Sequence, residues 1–238
     1  MAVDGLTATT DALARVVFER SFREFGLPER IRSDNGVPFA AYTLGRPSRL
    51  SAWWIRLGIR PELIEPGKPQ QNASHERMHR TLKAETTRPA ASNLRAQQRR
   101  FDLFRCQFNE ERPHEALNLR PPATLYLPSS RPYPRKLPPV DYPAHFEVRL
   151  VSRNGGIRWR DRWLNITTVL AEEHVGFEEI DDGLWTLYYS SIELGRLDER
   201  TFKILEPDGR TNRTKQPRGV KRTPRPNNRL QRLREEVS

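Results

Sequence analysis

The spacing of apolar residues changes once along this chain of 238 residues, and the change limits the folds that the chain can adopt. Between residues 10 and 108, apolar side chains recur at helical spacing, and short strand-like runs lie between the helices. Between residues 144 and 206, they occur in short alternating or aromatic runs that Gly, Asn and Asp turns separate. The sequence therefore predicts an α/β unit followed by a small all-β unit, which we expect to resemble a barrel.

Helices and strands alternate in the predicted α/β unit. Residues 10–25 predict a helix that Thr10 caps, and the ERIRS run that follows predicts a strand centred on Ile31 that ends at Asp34. A second helix, a strand and a loop lead to a third helix, which contains Glu76. We expect Asp34 and Glu76 to lie where the backbone leaves both carboxylates free to point into one crevice.

Residues 75–79 spell H-E-x-x-H, a pattern in which two His side chains one helical turn apart bind zinc and the Glu acts as a general base. The surroundings differ from such sites, because Arg77 and further cations on the helix would lie near the metal, and the Gly and third His of metzincins are missing. A distant Glu110 or Glu111 could still supply a third ligand. A zinc hydrolase therefore remains a minor alternative.

Positive charge is concentrated at the C-terminal end of the chain. The net charge is +11, and residues 208–238 carry ten basic and three acidic side chains. These residues include several Pro and almost no large apolar side chains, so we expect a disordered basic tail. Such a tail would bind nucleic-acid phosphates with an affinity that falls as salt rises. The alternative is that it only keeps the protein soluble.

The cysteine content and the hydropathy predict a cytoplasmic protein. Cys106 is the only cysteine, which excludes an internal disulfide framework and any all-cysteine metal cluster and fits a reducing compartment. No apolar run is long enough to cross a bilayer, and the sequence shows no secretory signal at its start. We therefore expect no membrane partner.

Four stretches occur in an order that resembles the core of retroviral-integrase-like DDE transposases of bacterial insertion sequences. They are SDNG at 33–36, PGKPQQN at 66–72, HERMHRTLK at 75–83 and FNEERPHEAL at 108–117. The resemblance implies a ribonuclease-H-like fold in which two Asp and one Glu hold two Mg²⁺ or Mn²⁺ ions. Carboxylates suit these ions, and paired ions support an in-line attack on a phosphodiester. The implied activity is DNA cleavage and strand transfer in transposition and DNA integration.

The same resemblance assigns roles to individual residues of this sequence. Asp34 matches the second Asp of the family and Glu76 matches its Glu, so both are predicted to be catalytic metal ligands. Six residues are predicted to contact DNA: Asn35, Lys68, Gln71, Asn72, Arg80 and Lys83. Without the resemblance, D-N-G would indicate only a turn, and the Glu76 helix would indicate a solvated face with an ordinary ion pair.

The sequence also departs from the family's pattern. The first catalytic Asp of the family lies on a strand well before the helix at 10–25, and only MAVDGLTAT stands there. Asp4 lies too close to that helix to be preceded by three strands, so it is not assigned as catalytic. Ala73 and Ser74 stand where the family commonly has a Gly and a basic residue. We therefore expect an N-terminally truncated core that lacks its first strands and one metal ligand.

The composition and the resemblance together divide the chain into four parts. Residues 1–120 are predicted to be a partial catalytic core, and residues 121–143 a stiff, Pro-rich linker. Residues 144–207 form the barrel-like domain, which in similar proteins binds DNA ends or another protomer, and residues 208–238 form the tail. Four aromatic residues of the barrel-like domain are predicted mainly as core, with base stacking as the alternative: Trp159, Trp163, Trp185 and Tyr188.

These predictions describe a transposase fragment that binds element ends and target DNA, associates with itself and acts at the nucleoid in the bacterial cytoplasm. With two of three carboxylates, the chain alone is expected to bind DNA without strand transfer. The alternative from another class is a non-catalytic DNA-binding or inhibitory remnant that competes for the ends of the element.

Overall fold

The computed structural model describes residues 1–34, 36–40, 45, 47–65 and 68–207. The predicted tail at 208–238 lies outside these residues.

An α/β unit occupies the first half of the chain, as the sequence predicts. Its helices and strands are α1 (Asp11–Phe25), β1 (Arg30–Ser33), α2 (Arg49–Arg56), β2 (Arg60–Leu63), α3 (Ala73–Thr86) and α4 (Leu94–Cys106). A 3₁₀ turn at Pro69–Asn72 precedes α3, and a π-helical turn at Gln107–Glu111 extends α4.

Helix α1 begins and ends where the sequence predicts. The Thr10 hydroxyl accepts a hydrogen bond from the backbone N of Leu13 at 3.4 Å, which satisfies a free N–H of the first turn. Gly26 ends the helix with a φ of 78°, a conformation that other residues rarely adopt. A Cβ at Gly26 would also lie 2.6 Å from the backbone oxygen of Ser129, so this position requires glycine for two reasons.

Strands β1 and β2 form a two-stranded parallel sheet in which Arg30 lies beside Arg60. Helix α2 provides the crossover that parallel neighbours need. The Glu62 carboxylate accepts hydrogen bonds from Arg30 and Arg32 of the other strand, each at 3.2 Å. The bond from Arg32 and then that from Arg30 lower the pKa of Glu62. Ion pairs between the two strands therefore contribute to the stability of this small sheet.

An aromatic cluster fills the space between α1 and α2. The ring of the fully buried Trp54 lies 4.9 Å from that of Phe18, and the ring of Trp53 lies 5.5 Å from that of Phe22. Such tilted aromatic pairs add about 1 kcal/mol each to the stabilisation from burial. The core of the α/β unit thus lies between helices rather than on its sheet.

The second half of the chain is rich in antiparallel strands, as predicted. The strands are β3 (Glu147–Leu150), β4 (Gly156–Trp159), β5 (Arg162–Asn165), β6 (His174–Asp181), β7 (Leu184–Tyr189), β8 (Ile192–Asp198) and β9 (Lys203–Leu205). Five of them form a sheet in the order β3-β6-β7-β8-β9, and β4 and β5 form a separate hairpin. Closure into a barrel remains a prediction.

The core of this β unit is fully enclosed. Trp159 and Phe177 have no exposed surface, and their ring centroids lie 4.4 Å apart. The indole N–H of Trp159 donates to the Glu199 carboxylate at 2.6 Å. Trp159 and Trp185 are core residues, as predicted, whereas Trp163 is half exposed.

Helix α2 contacts both units. Its Ala52 and Ile55 side chains belong to the apolar cluster of the β unit, while its Trp side chains face α1. Arg56 donates to Glu173 of the β unit at 2.9 Å and, at 3.3 and 3.1 Å, to the carbonyl oxygen of Pro138. The two units therefore share one helix.

The segment predicted as a linker, 121–143, contains one 3₁₀ turn at Pro122–Leu125 and otherwise no helix or strand. Its Arg131 side chain donates to the carbonyl oxygens of Pro28, Leu57 and Gly58 at 2.8–3.1 Å. This segment thus contacts the ends of α1 and α2. No helix in the described part of the chain is long and apolar enough to span a bilayer.

Candidate active site

Asp34 directly follows β1, as the sequence predicts. The residue is exposed, and its Oδ1 accepts a hydrogen bond from the backbone N of Gly36 at 3.0 Å. A Cβ at Gly36 would lie only 3.2 Å from that oxygen, so glycine gives the carboxylate its room. The turn after β1 therefore orients Asp34 at the end of the strand.

The chain that leads to Glu76 starts at the same edge of the sheet as Asp34. Ser33 pairs with Leu63, and the backbone N of Ile64 extends the ladder by donating to the Ser33 carbonyl at 3.2 Å. Parallel strands present their carboxyl ends at one edge, which is where α/β folds place ligand sites. Asp34 and the connection from β2 to α3 therefore leave the sheet side by side.

Two predicted DNA contacts in this connection are bound to Glu65. Lys68 Nζ lies 2.6 Å from one Glu65 oxygen, and Gln71 Nε2 donates to the other at 3.0 Å. The Gln71 side-chain oxygen also accepts from the Glu65 backbone N at 3.1 Å. The bond from Lys68 and then that from Gln71 lower the pKa of Glu65. Lys68 and Gln71 each keep further N–H donors while they are bound to Glu65, and the Lys68 side chain is half exposed, so both could still contact DNA.

Glu76 lies in the first turn of α3 and is exposed. Arg80 and Lys83 follow it at helical spacing and are exposed as well. Within the described ranges, the Glu76 side chain makes no hydrogen bond or ion pair, so the ordinary ion pair with Arg80 is not formed. The positive end of the helix dipole favours a carboxylate at this position. Glu76 is thus accessible to a cation or a ligand.

The two His side chains of the H-E-x-x-H pattern lie against each other, with ring centroids 4.3 Å apart. Burial, and then the neighbouring His75 and Lys83, lower the pKa of His79. Among the residues that the structure describes, no three His, Cys, Asp or Glu side chains form a group that could hold a metal ion. Within this part of the chain, the zinc alternative therefore lacks the third ligand that it requires.

The same test applies to a magnesium site. The oxygens of Asp34 and Glu76 suit Mg²⁺ in kind, because this ion prefers carboxylate and water ligands. The number of ligands falls short, since nowhere in the described part of the chain do three His, Cys, Asp or Glu side chains form a group that could hold a metal ion. A site for two ions would need further ligands.

The side chain of Arg112 connects α3 to α4 and its π-helical extension, a role that the sequence did not reveal. It donates to both carboxylate oxygens of Glu85 at 2.9 Å, and its guanidinium lies over the rings of Phe104 and Phe108 at 5.6 and 5.9 Å. The FNEERPHEAL stretch was the available signal, but only the fold shows that its Arg reaches the helix of Glu76. Gln97 adds a bond from α4 to the carbonyl oxygen of Thr86 at 3.0 Å.

Asn35 lies outside the described residues, and Asn72 ends the 3₁₀ turn before α3. Asp4, which the sequence did not assign as catalytic, forms an ion pair with Arg20 of α1.

The family model that matches this chain covers the part of the site that contains Glu76 but not the part that contains Asp34. Residues 57–122 match the family described as Integrase core domain. The 31.7 kDa protein of insertion element IS407 from Burkholderia multivorans is 31% identical over 106 residues, which are 44% of this chain and 36% of that protein. The 39.2 kDa protein of insertion element IS476 from Xanthomonas euvesicatoria is 33% identical over 99 residues, which are 41% and 27%. The match thus spans about a third of these relatives.

A solved structure, the simian T-cell lymphotropic virus intasome in complex with the PP2A regulatory subunit B56 gamma, contains a chain with 14% identity to this one. The similarity covers 79% of this chain and 65% of that chain with a TM-score of 0.41, which is too low to establish a common fold.

Proposed function

This chain belongs to the retroviral-integrase-like DDE transposases of bacterial insertion sequences, and we propose that it takes part in divalent-metal-dependent cleavage and strand transfer of DNA. The observation that carries the proposal is the shared edge of the parallel sheet, where Asp34 follows β1 and the connection to Glu76 follows β2. The Integrase core domain match includes Glu76, whereas the role of Asp34 depends on the SDNG stretch and on this placement.

In this proposal Asp34 and Glu76 are catalytic residues that supply oxygen ligands to Mg²⁺ or Mn²⁺. Both are exposed, and Glu76 is not engaged by a neighbouring cation among the described residues. A complete ribonuclease-H-like site holds two ions and needs a third carboxylate, which no described residue provides beside these two. Another segment or another polypeptide would have to supply it.

DNA is the proposed partner, as element ends and as target. Arg80 and Lys83 are exposed cations on the helix of Glu76 and would neutralise phosphates. Lys68 and Gln71 would join them through the N–H donors that Glu65 leaves free, and Asn35 and Asn72 remain proposed contacts. The basic tail would add a salt-dependent arm, the barrel-like domain would support self-association, and the protein would act at the nucleoid in the cytoplasm.

A second candidate is a non-catalytic DNA-binding or inhibitory subunit. The lack of a third carboxylate beside Asp34 and Glu76 in the described part of the chain favours it. It predicts DNA binding with no dependence on either carboxylate.

The test is strand transfer by residues 1–238, first alone and then with a polypeptide that carries a third carboxylate, supplied as a fusion or a separate chain. We expect no product from the chain alone, and Mg²⁺-dependent joining of element ends in the completed protein. Glu76→Gln should abolish that joining, whereas Glu111→Gln, on the turn after α4, should not. DNA binding with no joining in the completed protein would support the non-catalytic candidate, and joining that survives Asp34→Asn and Glu76→Gln would contradict the proposed roles of both residues.

A further inference from the structure

The outer face of the β4–β5 hairpin carries an unusual set of side chains. The register pairs Arg158 with Trp163 and Gly156 with Asn165, so these four residues lie on one face. The other face holds Ile157, Trp159 and Leu164, which are buried in the core of the β unit. Trp163 therefore lies on the outer face of a hairpin whose inner face is packed against the core.

Trp163 is held flat against the hairpin. A Cβ built on Gly156 would lie 2.4–2.6 Å from three atoms of the indole ring, which means that the ring face covers the glycine. The indole N–H donates to Asn165 Oδ1 at 3.0 Å, which fixes the rotation of the ring. Half of the residue, 50%, remains exposed, so the free side of the ring faces solvent. The other Trp residues are at most 5% exposed.

The polar groups around this ring are donors. Arg158 is exposed and makes no ion pair or side-chain hydrogen bond within the described ranges. Asn165 uses its oxygen for the indole, which leaves its amide N–H groups free to donate. The hairpin face itself has no carboxylate. A ligand that fits must therefore combine a flat, stackable group with an anion.

We propose that the face formed by Arg158, Trp163 and Asn165 binds one nucleotide of unpaired DNA. The base would stack on Trp163, and Arg158 would bind the adjacent phosphate. Duplex DNA fits less well, because both sides of its bases are already stacked. An acidic peptide would satisfy Arg158 but leave the indole without a flat partner. The inference depends on the proposed function only in taking DNA as the polymer, since it does not involve Asp34 or Glu76.

The first test measures binding of the full chain to a labelled oligothymidylate by fluorescence anisotropy. Salt of about 0.3 M would weaken contacts made by the basic tail, whereas stacking depends little on salt. Trp163→Leu should lower the affinity about tenfold, because Leu still covers Gly156 but offers no π-face. Trp163→Phe should keep most of it. A Trp163→Leu variant with native affinity would overturn the proposal.

The second test changes the DNA instead of the protein. Replacing the bases of the oligonucleotide by abasic sites should weaken binding to the native chain about tenfold and should leave the Trp163→Leu chain unaffected. Equal losses in both proteins, or no loss in the native chain, would contradict stacking on Trp163. This arm needs no variant to fold, because the native chain alone reveals whether bases matter.

Arg158→Gln provides a matched comparison with Arg162→Gln. Both residues carry the same charge on the same hairpin, but Arg162 lies on the other face, over the ring of Phe202 at 3.7 Å. Arg158→Gln should weaken binding severalfold more than Arg162→Gln, and equal effects would contradict a local site. The binding assay contains no Mg²⁺, which strand transfer requires. Loss of strand transfer and loss of this binding are therefore separable results.

Discussion

The α/β unit and the β unit bury their apolar side chains in different ways. In the β unit, antiparallel strands joined by short turns enclose a core whose largest side chains, such as Trp159 and Phe177, have no exposed surface. In the α/β unit, β1 and β2 contain no fully buried residue, and the core lies between α1 and α2. The candidate catalytic residues thus lie on the unit whose sheet is smaller and less buried. That unit gains support from α2, which the β unit also contacts.

The largest expected effect tests the core of the β unit. Trp159→Ala should lower the free energy of unfolding by about 3–5 kcal/mol, because it removes the ring against Phe177 and leaves Glu199 without its indole donor. Urea unfolding followed by circular dichroism would measure it. Ile180→Ala, at an exposed position of β6, should change stability by less than about 0.5 kcal/mol. Similar losses in both variants would show that this core is not what stabilises the unit.

The next effect tests whether α2 joins the two units. Arg56→Ala should destabilise by about 1–3 kcal/mol, since it breaks a partly buried ion pair with Glu173 and two bonds to the Pro138 carbonyl. We expect the two units then to unfold in separate steps. Arg49→Ala, exposed on the same helix, is the control. A single unchanged unfolding transition in the Arg56 variant would mean that the apolar contacts of α2 are enough to make the two units unfold together.

A smaller effect tests whether Arg112 holds α3 and α4 together. Arg112→Lys removes the bond to both oxygens of Glu85 and the flat group over Phe104, and should cost about 1 kcal/mol because the pair is partly exposed to solvent. Hydrogen exchange in α3 should become faster, while exchange in the β unit stays the same. Arg120→Lys, at an exposed position, should alter neither. Unchanged hydrogen exchange in α3 would show that Arg112 does not stabilise the helix that contains Glu76.

The smallest effect at neutral pH concerns Tyr142, which joins the linker segment to the β unit. Its hydroxyl donates to the His174 carbonyl at 2.8 Å and accepts from the Ser190 backbone N at 3.1 Å, and burial raises the pKa of Tyr142 to about 12. The ordinary pKa is about 10. This raised pKa therefore contributes stability in full below pH about 10, and the contribution is lost as pH rises through about 12.

Stability measured against pH, compared with that of Tyr142→Phe, would check this prediction. The native chain should lose stability above pH about 10 more steeply than the variant, which has no group to ionise at this position. Parallel curves for the two proteins would show that Tyr142 ionises as freely in the folded state as in the unfolded state.

Local sequence was sufficient to place the two carboxylates. Asn-Gly after a short run centred on Ile31 predicted that a strand ends at Asp34, and helical spacing placed Glu76 on α3, as the structure has them. The partners of nearby side chains were not predictable in the same way. The sequence predicts Lys68 and Gln71 as DNA contacts, and only the folded loop shows that both bind Glu65.

For the aromatic residues of the β unit too, the sequence predicts one part and only the fold shows the rest. Composition alone gave all four the same expectation, yet Trp159 is buried and Trp163 is half exposed. The alternation along β4 and β5 separates them only when the register of the hairpin is known. Gly156 then determines that the Trp163 ring lies flat.

By itself, the sequence determined the order of helices and strands, the change from α/β to β structure and the positions of Asp34 and Glu76, because these follow from contacts between residues close in the chain. Tertiary structure alone decided that α2 serves both units, that Arg112 reaches Glu85, and that Trp163 faces outward. The first two depend on residues distant in sequence, and the third depends on which face of the hairpin packs on the core of the β unit, so the whole core rather than any local pattern selects them.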